Sequence, residues 1–255
     1  MRYLLAAIGT ALCTLCAAHA GPVPTPSAAM AYASGQFMEA AETAGRSANA
    51  GDRALAARAL LAECILTQSQ RPDLVDAAAT HARAALKADP DSVEARLQLA
   101  MAIGLKGRAA SASEALRNGY ASEGKRLIDE ALARAPHEPW AWALLGGWNL
   151  EVVRRGGRLG ARLYGASTAK GIAAFERARA LAPDDPVIAL HQAAALLGVD
   201  PVRFGDQARV ALTAAAAAPA DNVFERRMQD EARHLSALMA TDGPVAAGRR
   251  AQSRL

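Results

Sequence analysis

The histidines are the first residues to examine for chemistry, because an imidazole can bind a metal or act as a general base. His81, His137, His191 and His234 lie far apart, without the short spacing of a helical metal-binding pair. The chain also lacks the His-Glu-x-x-His, Gly-x-Ser-x-Gly and phosphate-loop patterns. We therefore expect a protein that is not an enzyme and that binds no metal or cofactor.

Charged side chains cluster in the segment after Glu151. Glu151 precedes Arg154 and Arg155 by three and four residues, the spacing of a helical ion pair worth about 0.2–0.5 kcal/mol. A ligand role for Glu151 is the alternative. Residues 154–169 are predicted to form a basic loop whose arginines could contact phosphate or carboxylate groups, the alternative being a solvated loop. These candidate anion contacts are Arg154, Arg155, Arg158 and Arg162.

The glycines of this segment do not make a nucleotide site. Gly156, Gly157 and Gly160 are predicted to follow a helix rather than a strand, so they do not fit a dinucleotide-binding turn. Cys64 lies among leucines and isoleucine, and a small, partly hydrophobic core residue is the expected role for it.

A recurring phrase predicts the elements that position these residues. An alanine-rich helical pattern ends at Pro90, at Pro136 and at Pro183, and these prolines follow one another at intervals of 46 and 47 residues. A repeated helix, stop and new helix is typical of an α-solenoid. We predict an all-α superhelix of about five helical pairs over residues 21–240, closed by a capping helix at 222–239.

The repeats resemble tetratricopeptide units. Gly35, Phe37 and Ala40 match the spacing of the second helix of such a unit, and Trp142, Leu145 and Gly146 match its Trp-x-x-Leu-Gly phrase. Two insertions interrupt the pattern, at residues 108–120 and 154–169.

Residues 128–238 resemble a narrower family, the tetratricopeptide-like domain of the regulator of microtubule dynamics proteins. The resemblance is carried by residues 144–152 (LLGGWNLEV), 161–165 (ARLYG) and 174–178 (AFERA). Members of that family are membrane-anchored, and one is similar to a phospholipid-binding and transfer module. The resemblance thus implies the fold and an apolar ligand groove.

The tetratricopeptide resemblance also implies a groove along the first helix of each pair. Its repeat positions fall mostly on apolar residues, which suits a hydrophobic ligand or a hydrophobic peptide helix; ordinary core packing is the alternative. The candidate groove residues are Leu97, Met101, Leu105, Trp140, Leu144, Leu150, Glu151, Leu190, His191 and Leu197.

The N-terminus predicts export. Arg2 precedes an apolar run that ends in Ala18-His19-Ala20, which is typical of a secretory signal peptide over residues 1–20. An uncleaved membrane anchor is the alternative, and cleavage would leave no transmembrane segment. We therefore predict a periplasmic protein. The C-terminal residues 241–255, with Gly243-Pro244 and a basic end, are predicted to be a disordered tail.

Composition restricts the partners. The chain is 52% hydrophobic but only 4% aromatic, and its net charge of +4 is small for 255 residues. A nucleic-acid partner is not expected, because such binding needs access to nucleic acid and the predicted export argues against that access. The sequence therefore predicts a scaffold for an envelope protein or peptide, and a module for phospholipid or another hydrophobic ligand as the alternative.

Overall fold

The computed structural model describes residues 22–67 and 71–254 and, within them, thirteen α-helices and no β-strand. The predicted all-α fold is confirmed, whereas the predicted signal peptide at 1–20 lies outside the described residues. The helices are α1 (Pro26–Ala33), α2 (Phe37–Gly45), α3 (Ala50–Thr67), α4 (Pro72–Ala88), α5 (Val93–Ala109), α6 (Ala112–Arg117), α7 (Tyr120–Arg134), α8 (Pro139–Tyr164), α9 (Thr168–Leu181), α10 (Pro186–Val199), α11 (Gly205–Ala217), α12 (Val223–Thr241) and α13 (Gly243–Arg254).

The helices pack in pairs that stack on one another. The pairs are α1–α2, α3–α4, α5–α7, α8–α9, α10–α11 and α12–α13, with the short α6 between the two members of the third pair. The first helices of neighbouring pairs also touch, α3 with α5, α5 with α8, α8 with α10 and α10 with α12. This arrangement is the predicted α-α superhelix, with six pairs instead of five.

Helix boundaries follow local capping chemistry. Pro139 and Pro186 occupy the first turns of α8 and α10, where a missing backbone N–H has no cost. The Asp185 carboxylate accepts hydrogen bonds from the backbone N–H groups of Val187 and Ile188, both at 2.9 Å, and so closes the start of α10. Pro90, Pro136 and Pro183 follow the ends of α4, α7 and α9 and prevent those helices from continuing.

Small residues set the distance between paired helices. Most of the core positions are alanines, which let helix backbones approach closely. The closest approach joins α8 to α9, where a Cβ added to Gly146 would lie 2.5 Å from Cδ2 of Phe175. Position 146 therefore requires glycine, because any side chain there would clash with the Phe175 ring.

The prediction of a basic loop at 154–169 is wrong. Helix α8 continues through this segment to Tyr164 and is interrupted only at Gly157, whose φ of 53° and ψ of −150° are not helical. After Gly157 the chain reverses, since a Cβ on Gly160 would lie 3.5 Å from the carbonyl oxygen of Val152. Glycine permits this reversal because a side chain would clash at that φ.

The other predicted insertion is also partly helical. Helix α5 runs on past Gly107 to Ala109, and α6 occupies residues 112–117 inside the predicted insertion at 108–120. The Ser111 hydroxyl accepts a hydrogen bond from the backbone N–H of Glu114 and caps α6.

The prediction of a disordered C-terminal tail is wrong as well. Residues 243–254 form α13, which packs on α10 and α12. Ala247 and Ala251 are buried there, and Arg250 donates two hydrogen bonds of 2.9 Å to the Glu231 carboxylate. The prediction failed because the segment is mostly polar. Its two alanines at helical spacing nevertheless provide enough apolar surface for a small helix to pack against its neighbours.

The superhelix curves far enough for its two ends to meet. Helix α12 contacts α3, and the Phe224 ring lies edge-to-face with Phe37 of α2, with 6.3 Å between ring centroids. Val223 fills the space above Gly35, in the turn between α1 and α2. The first helices of the pairs therefore surround a common interior.

Candidate functional site

We call the surface formed by the first helices of the pairs, α1, α3, α5, α8, α10 and α12, the inner face. On α5 one strip of residues follows the helical repeat along this face. Charged residues begin and end the strip, and one glutamine and two apolar residues lie between them. In order, the strip contains Glu94, Gln98, Met101, Leu105 and Arg108.

An arginine and a glutamate form the centre of one end of the inner face. Nε of Arg58 donates to Oε1 of Glu94 at 2.8 Å, and Nε2 of Gln98 donates to the same oxygen at 2.9 Å. The Arg58 guanidinium also lies 6.0 Å from the centroid of the Tyr32 ring. Burial, together with Glu94 and Glu225, raises the pKa of Tyr32 to about 12 against the opposing effect of Arg58.

Carboxylates from three further helices complete this acidic end. Glu138 and Asp185 cap α8 and α10, and Glu225 lies in the first turn of α12. Burial raises the pKa of Glu138 and of Asp185, and neighbouring carboxylates raise both further. We define the acidic end as Glu94, Glu138, Asp185 and Glu225.

Three arginines lie at the opposite end. Arg154 binds the Glu151 carboxylate through two hydrogen bonds of 2.8 and 2.6 Å, which is the predicted ion pair. Arg155 donates to the carbonyl oxygens of Gly107 and Ala110, at 2.7 Å for Ala110, and so covers the end of α5. Arg108 is exposed and forms no hydrogen bond or ion pair with the residues that the structure describes. We define the basic end as Arg108, Arg154 and Arg155.

Arg108 has fewer favourable interactions at the basic end than Arg154 and Arg155 have. Although the Arg108 side chain keeps contact with solvent, desolvation by the protein around it lowers its pKa; Glu151 opposes this effect, and the charges of Arg154 and Arg155 add to it. Burial alone would raise the pKa of Glu151, but the hydrogen bond from Arg154 and the surrounding arginines lower it. The inner face therefore holds one guanidinium without a specific partner among the described residues.

The separation of charge has a simple origin. The inner helices start at the acidic end, where carboxylates cap them or occupy their first turns. Arg108 lies in the last turn of α5, and Arg155 covers its terminal carbonyls. Anionic groups favour helix N-termini and cationic groups favour C-termini, so parallel inner helices concentrate opposite charges at opposite ends.

Apolar and aromatic side chains occupy the middle of the inner face. The rings of Trp140 and His191 meet edge-to-face at 6.0 Å, and burial lowers the pKa of His191 to about 4, with Arg108 contributing. Met101, Leu105 and Leu144 are half-buried beside this pair and retain accessible surface.

Four of the predicted groove residues do not line a groove. Leu97, Leu150, Leu190 and Leu197 are at most 4% exposed and pack between helices. Leu97, for example, contacts Ala131 and Ala141 of two neighbouring helices. The tetratricopeptide repeat positions placed these leucines on the inner face. In the structure they lie beside that face, between neighbouring helices that cover them.

The remaining predicted residues divide into two groups. Met101, Leu105, Trp140, Leu144, Glu151 and His191 are half-buried and lie, with Arg154 and Arg155, on α5, α8 and α10, which pack on one another in that order. Arg158 and Arg162 are exposed on the segment after Gly157, beside Leu159 and Leu163, which are 80% and 64% exposed. The structure provides no described carboxylate partner for these two arginines.

Sequence reasoning missed the ring of residues at the acidic end. Tyr32, Arg58 and Asp185 carry no motif and lie on helices far apart in the chain. The available signal was positional, since a charged residue recurs at or near the start of each inner helix from α5 to α12.

A comparison with known protein families matches residues 31–240 to regulator of microtubule dynamics protein 1-3. The match covers most of the chain. The chain belongs to this family. A search of curated proteins finds no match.

Membership of the regulator of microtubule dynamics family extends the predicted resemblance from residues 128–238 to nearly the whole superhelix. No described helix combines the length and the apolar character needed to cross a bilayer. Nor do the described residues bring together three or more His, Cys, Asp or Glu side chains that could hold a metal ion.

Proposed function

We propose that this protein is an exported, non-catalytic scaffold of the cell envelope that binds a segment of a partner protein on its inner face. The support for export is the signal-like N-terminus, and the support for a scaffold is the stacked helical architecture, which presents a continuous surface rather than a pocket of reactive groups.

The observation that carries the proposal is Arg108. Its exposed guanidinium has no hydrogen-bonding partner among the described residues, and the charges of Arg154 and Arg155 repel it while Glu151, already bound to Arg154, attracts it. A carboxylate supplied by a partner would relieve this repulsion and form a charge-assisted hydrogen bond. The half-buried Leu105 and Met101 lie one and two turns away, respectively, on the same strip. The partner segment we propose therefore carries an acidic residue next to apolar ones.

A second candidate is an anionic phospholipid, and a specific observation favours it. Apolar surface on Met101, Leu105 and Leu144 adjoins the basic end, so an acidic head group could reach Arg108 while an acyl chain covers the apolar residues. The acidic end would repel the head group and so define the orientation of the ligand.

Native mass spectrometry with lipid extraction, on protein purified from a bacterial envelope, separates the two candidates. A photo-reactive residue in place of Gly104 would cross-link the partner and so identify it. The position can accept a side chain because a Cβ there meets no atom within 4 Å. The scaffold proposal predicts a discrete protein adduct that Arg108→Glu abolishes. The matched control is Arg117→Glu, on the exposed side of α6, which should leave the adduct unchanged.

Two results would overturn the scaffold. A phospholipid that co-purifies at fixed stoichiometry and is lost in Arg108→Glu would replace it with the lipid-binding function. A protein adduct that is equally strong in Arg108→Glu would remove the inner face as its site.

A further inference from the structure

A second cavity lies away from the inner face, between α7, α8 and α9. Its volume is about 470 Å³, within the range of small-molecule sites. Three aromatic rings, one leucine and two lysines form most of its wall: Trp142, Trp148, Tyr164, Leu145, Lys125 and Lys170.

The reversal of α8 at Gly157 builds this cavity. Trp148 and Tyr164 are 16 residues apart, and a straight helix would separate them by about 24 Å. Their ring centroids are instead 6.4 Å apart, edge-to-face. The reversal thus brings the Tyr164 ring back against the Trp148 ring, and the two nearly perpendicular rings form adjacent parts of the wall.

The indole N–H groups of Trp142 and Trp148 and the amide of Asn149 are already engaged within the protein. Nε1 of Trp142 donates to the Pro136 carbonyl at 2.9 Å, and Nε1 of Trp148 donates to the Ala121 carbonyl at 2.8 Å. The Asn149 amide donates to Leu145 O at 2.9 Å and accepts from the Ser167 N–H at 3.2 Å. The walls therefore offer ring faces and carbon, so the body of a ligand must be apolar.

The two lysines determine the charge of the ligand. None of the described residues lining the cavity is acidic. Nζ of Lys125 lies 5.6 Å from the Trp148 ring centroid and pairs with Asp129 at 2.7 Å, outside the lining. Nζ of Lys170 donates one hydrogen bond, to Gly165 O at 2.7 Å, which leaves two of its three protons for a ligand.

We infer that this cavity is a binding site for a small aromatic anion, such as an aryl carboxylate or sulfonate. The ring of the ligand stacks within the Trp142, Trp148 and Tyr164 wall, and its acidic group accepts hydrogen bonds from Lys170. This site is independent of the inner face and of the proposed scaffold function.

Calorimetric titration with 2-naphthalenesulfonate tests the inference, with the uncharged 2-naphthalenemethanol as the comparison ligand. Lys170→Gln should weaken sulfonate binding about fivefold or more and leave the alcohol unchanged. Lys87→Gln, an exposed lysine outside the cavity, is the matched control and should change neither.

A second pair of variants tests the location. Ala173 lines the cavity and is exposed, so Ala173→Leu should fill it and abolish binding of both ligands, whereas Ala180→Leu, exposed farther along α9, should not. Absence of sulfonate binding at millimolar concentration, binding that survives Ala173→Leu, or equal affinity for the two ligands would each overturn the inference. Circular dichroism confirms that each variant is folded.

Discussion

His191 shows how a single side chain acquires unusual chemistry from its neighbours. It lies against Trp140 and in the field of Arg108, in the middle of the inner face. Burial removes the water that would solvate an imidazolium, and a nearby guanidinium repels one. The neutral imidazole is therefore the form that the fold favours.

The low pKa of His191 predicts a pH dependence of stability. The unfolded chain protonates this residue near pH 6.5, the folded chain only near pH 4. Between these values the unfolded state binds more protons, so this contribution to stability is complete above pH 6.5 and declines as the pH falls towards 4. Urea unfolding at pH 7 and 4.5 should show a smaller loss of stability for His191→Gln than for the wild type.

His234→Gln is the control for this experiment, because His234 is exposed on α12. It should lose as much stability as the wild type over the same interval. An equal loss in His191→Gln would mean that the residue is not held neutral by the fold.

At the scale of the elements, glycines show where helix packing depends on the absence of a side chain. Gly146 lies in the interior of α8 under the Phe175 ring, and Gly104 lies in the interior of α5 facing open space. The two positions have the same helical backbone but opposite surroundings, so the same substitution should have opposite effects.

We expect Gly146→Ala to lower the free energy of unfolding by about 1–3 kcal/mol, because the new methyl group overlaps the Phe175 ring. Gly104→Ala should raise it by about 0.5–1 kcal/mol through helix propensity. Chemical denaturation measures both. A gain of stability in Gly146→Ala would contradict the close approach of α8 and α9.

Helix α13 illustrates how an element can depend on its neighbours for existence. Its alanines are buried against α10 and α12, while Val245 remains 45% exposed. Ala247→Asp should therefore cost about 3 kcal/mol, since it buries a charge without a partner, whereas Val245→Asp should be nearly neutral. Thermal unfolding followed by circular dichroism compares them. Equal melting temperatures of the two variants would indicate that residues 243–254 are disordered, as the sequence predicted.

The whole molecule is defined by the meeting of its two ends. The Phe37–Phe224 contact joins the first pair of helices to the last, which links all six pairs into one interior. Without this contact the superhelix would unfold more easily and change its curvature more freely, because each repeat would touch only its neighbours.

A double-mutant cycle measures this closure. Phe37→Leu and Phe224→Leu should show a coupling free energy of about 0.5–1.5 kcal/mol. Phe37→Leu combined with Phe204→Leu should be additive, because Phe204 belongs to a different core cluster from Phe37. Additivity in the first pair would indicate that the ends do not support each other.

Local chemistry made much of the fold readable from the sequence. The proline stops at Pro90, Pro136 and Pro183 predicted where α4, α7 and α9 end, because a proline acts through the backbone of its own helix. The Glu151–Arg154 pair was predicted for the same reason, since its partners are three residues apart on one helix.

The tertiary structure alone decided what the inner face presents. Leu97 and Leu190 were expected in a groove and are core. Arg58 and Asp185 were not expected, yet Asp185 belongs to the acidic end and Arg58 pairs there with Glu94. Their surroundings depend on the curvature of the superhelix and on the meeting of α12 with α3. Residues distant in sequence create these environments, and no local pattern encodes the angle at which one pair of helices packs on the next.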